Sequence, residues 1–148
     1  MLTMLRVTAI AQIVQGCLEL VMAALLALGA VLQGSPEFQE RLADNPMARM
    51  MPGFFGVLAL LFAVLGGLRI YAGVRAWKFE GYVLSLVTAF AGLLTLLSCY
   101  CAPTAVLVLV LVLVTLLNGQ VREAFDRRRG GARPSAVEDW LRSLESRR

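Results

Sequence analysis

Residues 10–20 read IAQIVQGCLEL, an apolar run that carries Gln12, Gln15 and Glu19. Their environment decides the fold. On a soluble helix the three side chains would form a wet face, whereas in a bilayer a carboxylate near the middle of a span is costly and needs compensation. The rest of the sequence selects the bilayer. The chain of 148 residues is 59% hydrophobic and 16% charged, against roughly 45–50% and about 25% for a soluble domain. Most of the charge lies between residues 34 and 52 or after residue 120. This leaves four nearly uncharged stretches of bilayer length, at about residues 7–33, 53–74, 82–100 and 103–121.

The fourth stretch contains AVLVLVLVLVTLL at 105–117, whose valines would favour a strand. Its alternation marks no wet face, because both alternating residues are apolar. A lone strand in lipid would also leave its backbone groups unpaired. The expected fold is therefore all-α: a polytopic membrane protein with four transmembrane helices in an antiparallel bundle over residues 1–121, followed by a basic cytoplasmic tail, 122–148, ending in an amphipathic helix. The first stretch is longer than a signal-peptide core, holds Glu19 and is followed by no clean A-x-A site, so it is expected to remain as a span.

Between the first two spans, Ser35 as N-cap, Pro36 at the first helical position and Glu37 in the first turn predict a short interfacial helix over 36–44, with Phe38 and Leu42 on one face and Asn45-Pro46 as its end. The later connections are tight, which makes consecutive helices antiparallel neighbours. The pairs Ala63/Gly67, Ser85/Ala89 and Thr88/Gly92 place small residues four apart, and they predict that the second and third spans meet closely.

In the tail, Gly130-Gly131 should stop one helix, and Ser135 with Glu138 fits a capping box that opens another over about 135–146. There Val137, Trp140, Leu141 and Leu144 form an amphipathic stripe expected to dock on a partner, on the protein's own cytoplasmic face or on lipid. Arg127, Arg128 and Arg129 lie where anionic headgroups attract basic side chains. With four spans, Arg41 and Arg49 fall on one side and the other twelve basic residues on the opposite one, so both termini are expected to be cytoplasmic and Cys99 and Cys101 to lie near the far face.

GLRIYAGVRAWKFEGYVL, LSCYCAPTA and LLNGQVREAF together resemble a group of small four-helix bacterial inner-membrane proteins of unknown function, over about residues 66–125. The resemblance implies an integral membrane protein of the bacterial inner membrane. It assigns no catalytic or binding residue.

Chemistry is sparse. The chain has no histidine, which removes histidine-based nucleophilic catalysis and HExxH zinc sites. Cys99 and Cys101 make a single CxC, and Cys17 sits on another span, so neither a metal site nor a cofactor is expected. No phosphate-binding glycine loop occurs. The chain is thus read as a non-enzymatic structural or accessory component that meets membrane lipid and associates with a membrane-protein partner or with itself, with no nucleic-acid partner. A small transporter or ion-conducting subunit using Glu19 is the alternative, and a holin-like pore former a third.

Gln12, Gln15 and Glu19 share one helix face, with Gly16 and Ala23 beside them, and that face must turn inward because lipid offers no hydrogen-bond partner. Arg69 is the basic residue set well inside a span. Counted at about 1.5 Å per residue from the cytoplasmic boundary, Glu19 lies roughly 16 Å deep and Arg69 about 7 Å deep. On that count Arg69 is expected to meet Gln15 or Glu80 at least as readily as Glu19.

Overall fold

The apolar run that opens the chain holds no proline and is helical throughout Leu2–Gln33, as helix α1. The computed structural model describes residues 2–41, 46–92 and 102–146, and every element among them is an α-helix. After α1 come α2 (Pro36–Arg41), α3 (Pro46–Trp77), α4 (Tyr82–Ala91), α5 (Ala102–Leu116), α6 (Gly119–Arg129) and α7 (Pro134–Glu145). Among the described residues, two helices, α1 and the Arg49–Trp77 part of α3, are long and apolar enough to cross a bilayer, and a third candidate arises if the bent pair α5–α6 is one span. Their outer faces carry large exposed apolar side chains such as Val14, Val21, Val57 and Leu60. A surface of that kind calls for hydrocarbon.

Several boundaries differ from the sequence expectation. The sequence predicts the second span over 53–74, but α3 begins at Pro46 and runs through Pro52. Proline 46 suits a first helical turn, where no backbone donor is needed, and the apolar packing farther on carries the helix past the second proline. The sequence predicts the fourth span over 103–121, but α5 ends at Leu116 and the chain bends by 74° into α6. Asn118 causes the break: its side chain accepts a hydrogen bond from the Gln120 N–H at 3.1 Å and caps the new helix. Because α6 carries Arg122, Glu123, Asp126 and three further arginines, it does not continue α5 through an apolar layer. Helix α7 starts with Pro134 at its first turn and receives no side-chain cap, so the Ser135/Glu138 capping box is not formed. Residues 42–44 of the expected interfacial helix, residues 93–100 of the expected third span with Cys99, and Cys101 beyond it lie outside the described residues.

Side-chain pairings fix the directions of the helices. Arg6 lies over the Trp77 ring and Gly16 meets Gly66, so α1 and α3 are antiparallel. Gln12 reaches Ser85 of α4, and Thr8 meets Thr115 of α5. The start of α1, the end of α3, the start of α4 and the end of α5 therefore share one end of the molecule, together with α6 and α7. A tight turn joins α3 to α4 there, with Phe79 at φ 58° and Gly81 at φ 73°. Phe79 holds this left-handed conformation because its ring is buried edge-on against Phe125, 6.4 Å away.

Among the described residues, the most extensive helix contact is between α1 and α3. Inward-facing residues of α1 include Leu2, Leu5, Ala9, Gln12, Gly16, Glu19 and Ala23, spaced alternately three and four apart. On α3, Ala59, Phe62, Gly66, Arg69, Gly73 and Ala76 repeat that spacing. This is the seam of a left-handed helix pair. Every seventh residue on it is small: Ala9, Gly16 and Ala23 against Ala59, Gly66 and Gly73. A β-carbon on Gly16 would stand 2.7 Å from the Gly66 carbonyl oxygen, and one on Gly66 would stand 2.8 Å from that of Gly16. The Ala63/Gly67 pair, expected where the second and third spans meet, makes no close approach at Gly67, which is exposed with nothing within 4 Å of its missing side chain, and α3 meets α4 through Arg69 and Thr88 instead.

Gly16→Ala should accordingly lower stability in detergent by about 1–3 kcal/mol, the range for overpacking. Gly67→Ala should leave it unchanged or raise it by up to about 1 kcal/mol, the gain from replacing a helical glycine. Thermal unfolding followed by circular dichroism compares the two; equal effects would contradict the seam.

Candidate functional site

The inward face of α1 carries its polar groups on the same seam that the small residues build. Gln12, Gln15 and Glu19 are each exposed by 1% or less, and Arg69 of α3 by 1%. Close approach of the two backbones leaves little room for apolar side chains beside them. Lateral space is filled instead by long polar side chains that run along the groove.

Arg69 Nη1 stands 2.8 Å from Glu19 Oε1. The depth count made Gln15 or Glu80 at least as ready a partner for Arg69 as Glu19, and the structure pairs Arg69 with Glu19. Glu80 lies in the α3–α4 turn and is engaged by Arg128 at 2.6 Å and by Arg75 at 3.8 Å. A depth count along the backbone misplaces Arg69 because it ignores side-chain direction. Each helical side chain leans towards the amino end of its own helix. In an antiparallel pair the two leans converge, so Arg69 reaches inward while Glu19 reaches back to meet it. Snorkelling of Arg69 to the boundary would expose its charge to water but leave Glu19 uncompensated, and that cost decides its direction.

Helix α4 closes the site from a third side. The Arg69 Nε–H donates to the Thr88 carbonyl oxygen at 3.4 Å, and Gln12 Nε2 donates to that of Ser85 at the same distance. Gly92, the C-cap of α4, is the position against which the guanidinium packs; a β-carbon there would collide with Arg69 Nη2. Gln15 lies one helical turn before Glu19 on the same buried face of α1. Gln12 Oε1 and Ser85 Oγ are buried without a protein partner among the described residues. Nearer the end of the bundle of contacts, Thr8 and Thr115 hydroxyls lie 2.8 Å apart and tie α1 to α5.

The second group of expected residues lies at the end where α6 and α7 pack. Val137 and Leu141 are buried against α1 and α6, in one apolar cluster with Leu2, Leu5, Val121 and Phe125. Trp140 and Leu144 are half-buried. Glu138 accepts from Arg6 at 3.1 Å, and Glu145 accepts from the Leu2 N–H at 3.2 Å. Of the three expected surface arginines, Arg127 pairs with Glu123 and stacks over the Trp140 ring at 4.2 Å, and Arg128 bridges Glu80 and the Ala132 carbonyl. Arg129 is exposed.

Sequence reasoning identified the polar stripe and Arg69 but missed Ser85, Thr88 and Gly92 as their surroundings. The heptad of small residues, read on α1 and α3 together, is the signal that would have placed Arg69 on the same seam as Glu19. Comparison of the chain with protein-family models, curated proteins and solved structures gives no match.

Two outcomes follow from the geometry. Arg69→Met alone should destabilise by about 3–5 kcal/mol because it strands a buried carboxylate, while Glu19→Met combined with Arg69→Met should recover most of that loss. Unfolding midpoints of the single and double variants measure it. Leu141→Ala should cost about 2–4 kcal/mol at the α7 contact, within the range for core leucines. Limited trypsin digestion should then cleave faster after Arg142, within α7, while α1 and α3 stay protected.

Proposed function

We propose that this chain is a non-catalytic, four-pass protein of a bacterial inner membrane with both termini in the cytoplasm, acting as a structural or accessory component that associates with a membrane-protein partner or a second copy of itself. In this reading α4 and α5 begin and end the third and fourth spans, and α1, α3, α4 and α5 form an antiparallel bundle. The distribution of basic residues and the resemblance of residues 66–125 to small four-helix inner-membrane proteins both support the orientation and location.

One observation carries the functional part. Glu19 and Arg69 are sealed between α1, α3 and α4, with side-chain exposures of 0% and 2%. A carboxylate that transports a proton or cation has to exchange its partner for the transported ion, and so needs a route and room to part from its counter-charge. Here the partner is held from behind by the α4 backbone, and Gly92 is fitted to its guanidinium. The pair therefore serves as a pin that fixes the register of the helices.

Flux in proteoliposomes tests this. Proton and cation fluxes of the parent and of Glu19→Gln should both equal those of empty vesicles, and extraction in mild detergent should retain an oligomer or a bound membrane protein. A flux present in the parent and lost in Glu19→Gln would instead establish the transporter. For topology, in a cysteine-free background, a cysteine introduced at residue 45 should react with a membrane-impermeant thiol reagent in intact cells, and one introduced in the tail should not.

A further inference from the structure

At the end of the molecule that holds α6, an open cleft of about 650 Å³ lies between the α3–α4 turn and α6, within the roughly 300–1,000 Å³ of small-ligand sites. We propose that this cleft is a binding site for the phosphate-bearing headgroup of an anionic phospholipid. The proposal rests on the membrane orientation given above.

Four arginines line the cleft: Arg75 from α3, and Arg122, Arg128 and Arg129 from α6. Its acidic groups are Glu80 and Asp126, which leaves two positive charges in excess. Glu80 is occupied by Arg128 and Arg75, and these contacts fix the cleft wall. Arg122 and Arg129 are exposed, and their side chains have no ion pair or hydrogen bond with any described residue. Planar guanidinium groups bind phosphate oxygens through paired N–H donors, so two free ones on the same helix face offer a ready oxyanion contact. The uncapped first turn of α4, from Tyr82 to Leu84, forms part of the same wall and adds its backbone donors.

What separates a lipid from a soluble phosphate is the direction in which the cleft opens. Below the arginines, α4 continues along the apolar layer with Val83, Val87 and Phe90 exposed by 62%, 55% and 49%. A ligand with an anionic head and acyl chains satisfies both surfaces. A free phosphate would use only the upper one. The 74° bend at Asn118 brings α6 across this boundary and so places its arginines at headgroup level.

Native mass spectrometry of the full chain in mild detergent tests the site, with phosphatidylglycerol or phosphatidylcholine added in turn. Phosphatidylglycerol should remain bound and phosphatidylcholine should not, and Arg122→Gln with Arg129→Gln should weaken retention roughly thirtyfold, given the attraction of each basic residue near an anionic surface. Arg133→Gln with Arg142→Gln removes the same charge from outside the cleft and should leave retention unchanged. Equal losses in the two double variants, or equal retention of the two lipids, would overturn the proposal. Displacement of the lipid by glycerol phosphate at comparable concentration would do so too, by assigning the cleft to a soluble phosphate. Thiol labelling of the tail from outside intact cells would overturn the orientation instead, and is read separately.

Discussion

The contact on which the rest of the structure depends is the close approach of α1 and α3 at Gly16 and Gly66, with the Glu19–Arg69 pair laid along it. In a hydrocarbon layer helices gain nothing from burying apolar surface, since lipid is as apolar as leucine. Backbone proximity and polar contacts must hold them together. Small residues every seventh position supply the proximity on both helices, and the ion pair supplies a contact that lipid cannot replace. The two are coupled, because larger residues at Gly16 or Gly66 would push Arg69 away from the carboxylate that compensates it.

Helix α1 is common to every layer of this arrangement. Its seam carries Leu2 and Leu5 into the apolar cluster with α7, Thr8 to α5, Gln12 to α4, and Gly16 and Glu19 to α3. Because these residues lie on one continuous stripe, rotating α1 to improve one contact would disturb the rest. The polar members make that rotation costly: turned outward, Gln12 and Glu19 would face lipid.

The helical fold, the inward stripe and the presence of Arg69 were legible in the sequence because composition and period determine them. Gln12, Gln15 and Glu19 can share only one face of a helix, and that face can point only inward. The ion pair was less legible, since it depends on how two helices are registered and on which way each side chain leans. A search at four-residue spacing selected Gly67, which faces outward, over Gly66, which lies one position away on the seam. The end of α5 was missed for a local reason. Hydropathy continues through LLNG, but Asn118 can cap a helix more favourably than it can extend one, and the chain turns there. At α7 the apolar stripe showed that the helix must dock, while only the fold could show that its docking surface is the start of α1.

The end of the molecule built by α6 and α7 is governed by a different balance from its middle. Ion pairs there are partly exposed: Arg6–Glu138 at 39% and 25%, and Arg127–Glu123 at 47% and 52%. Such pairs are worth about 0–1 kcal/mol each. Burial of a side chain such as Val137 or Leu141 contributes about 1.5–3 kcal/mol. Apolar contact therefore decides whether α7 is held, and the charged pairs around it decide its orientation. Inside the apolar layer the order is reversed, because apolar side chains there discriminate little between one neighbour and another, so the few polar side chains, above all Glu19 and Arg69, set the register. The chain thus uses charge to specify position where the surroundings are apolar, and apolar contact to specify it where the surroundings are wet. In each region the scarcer kind of side chain carries the information.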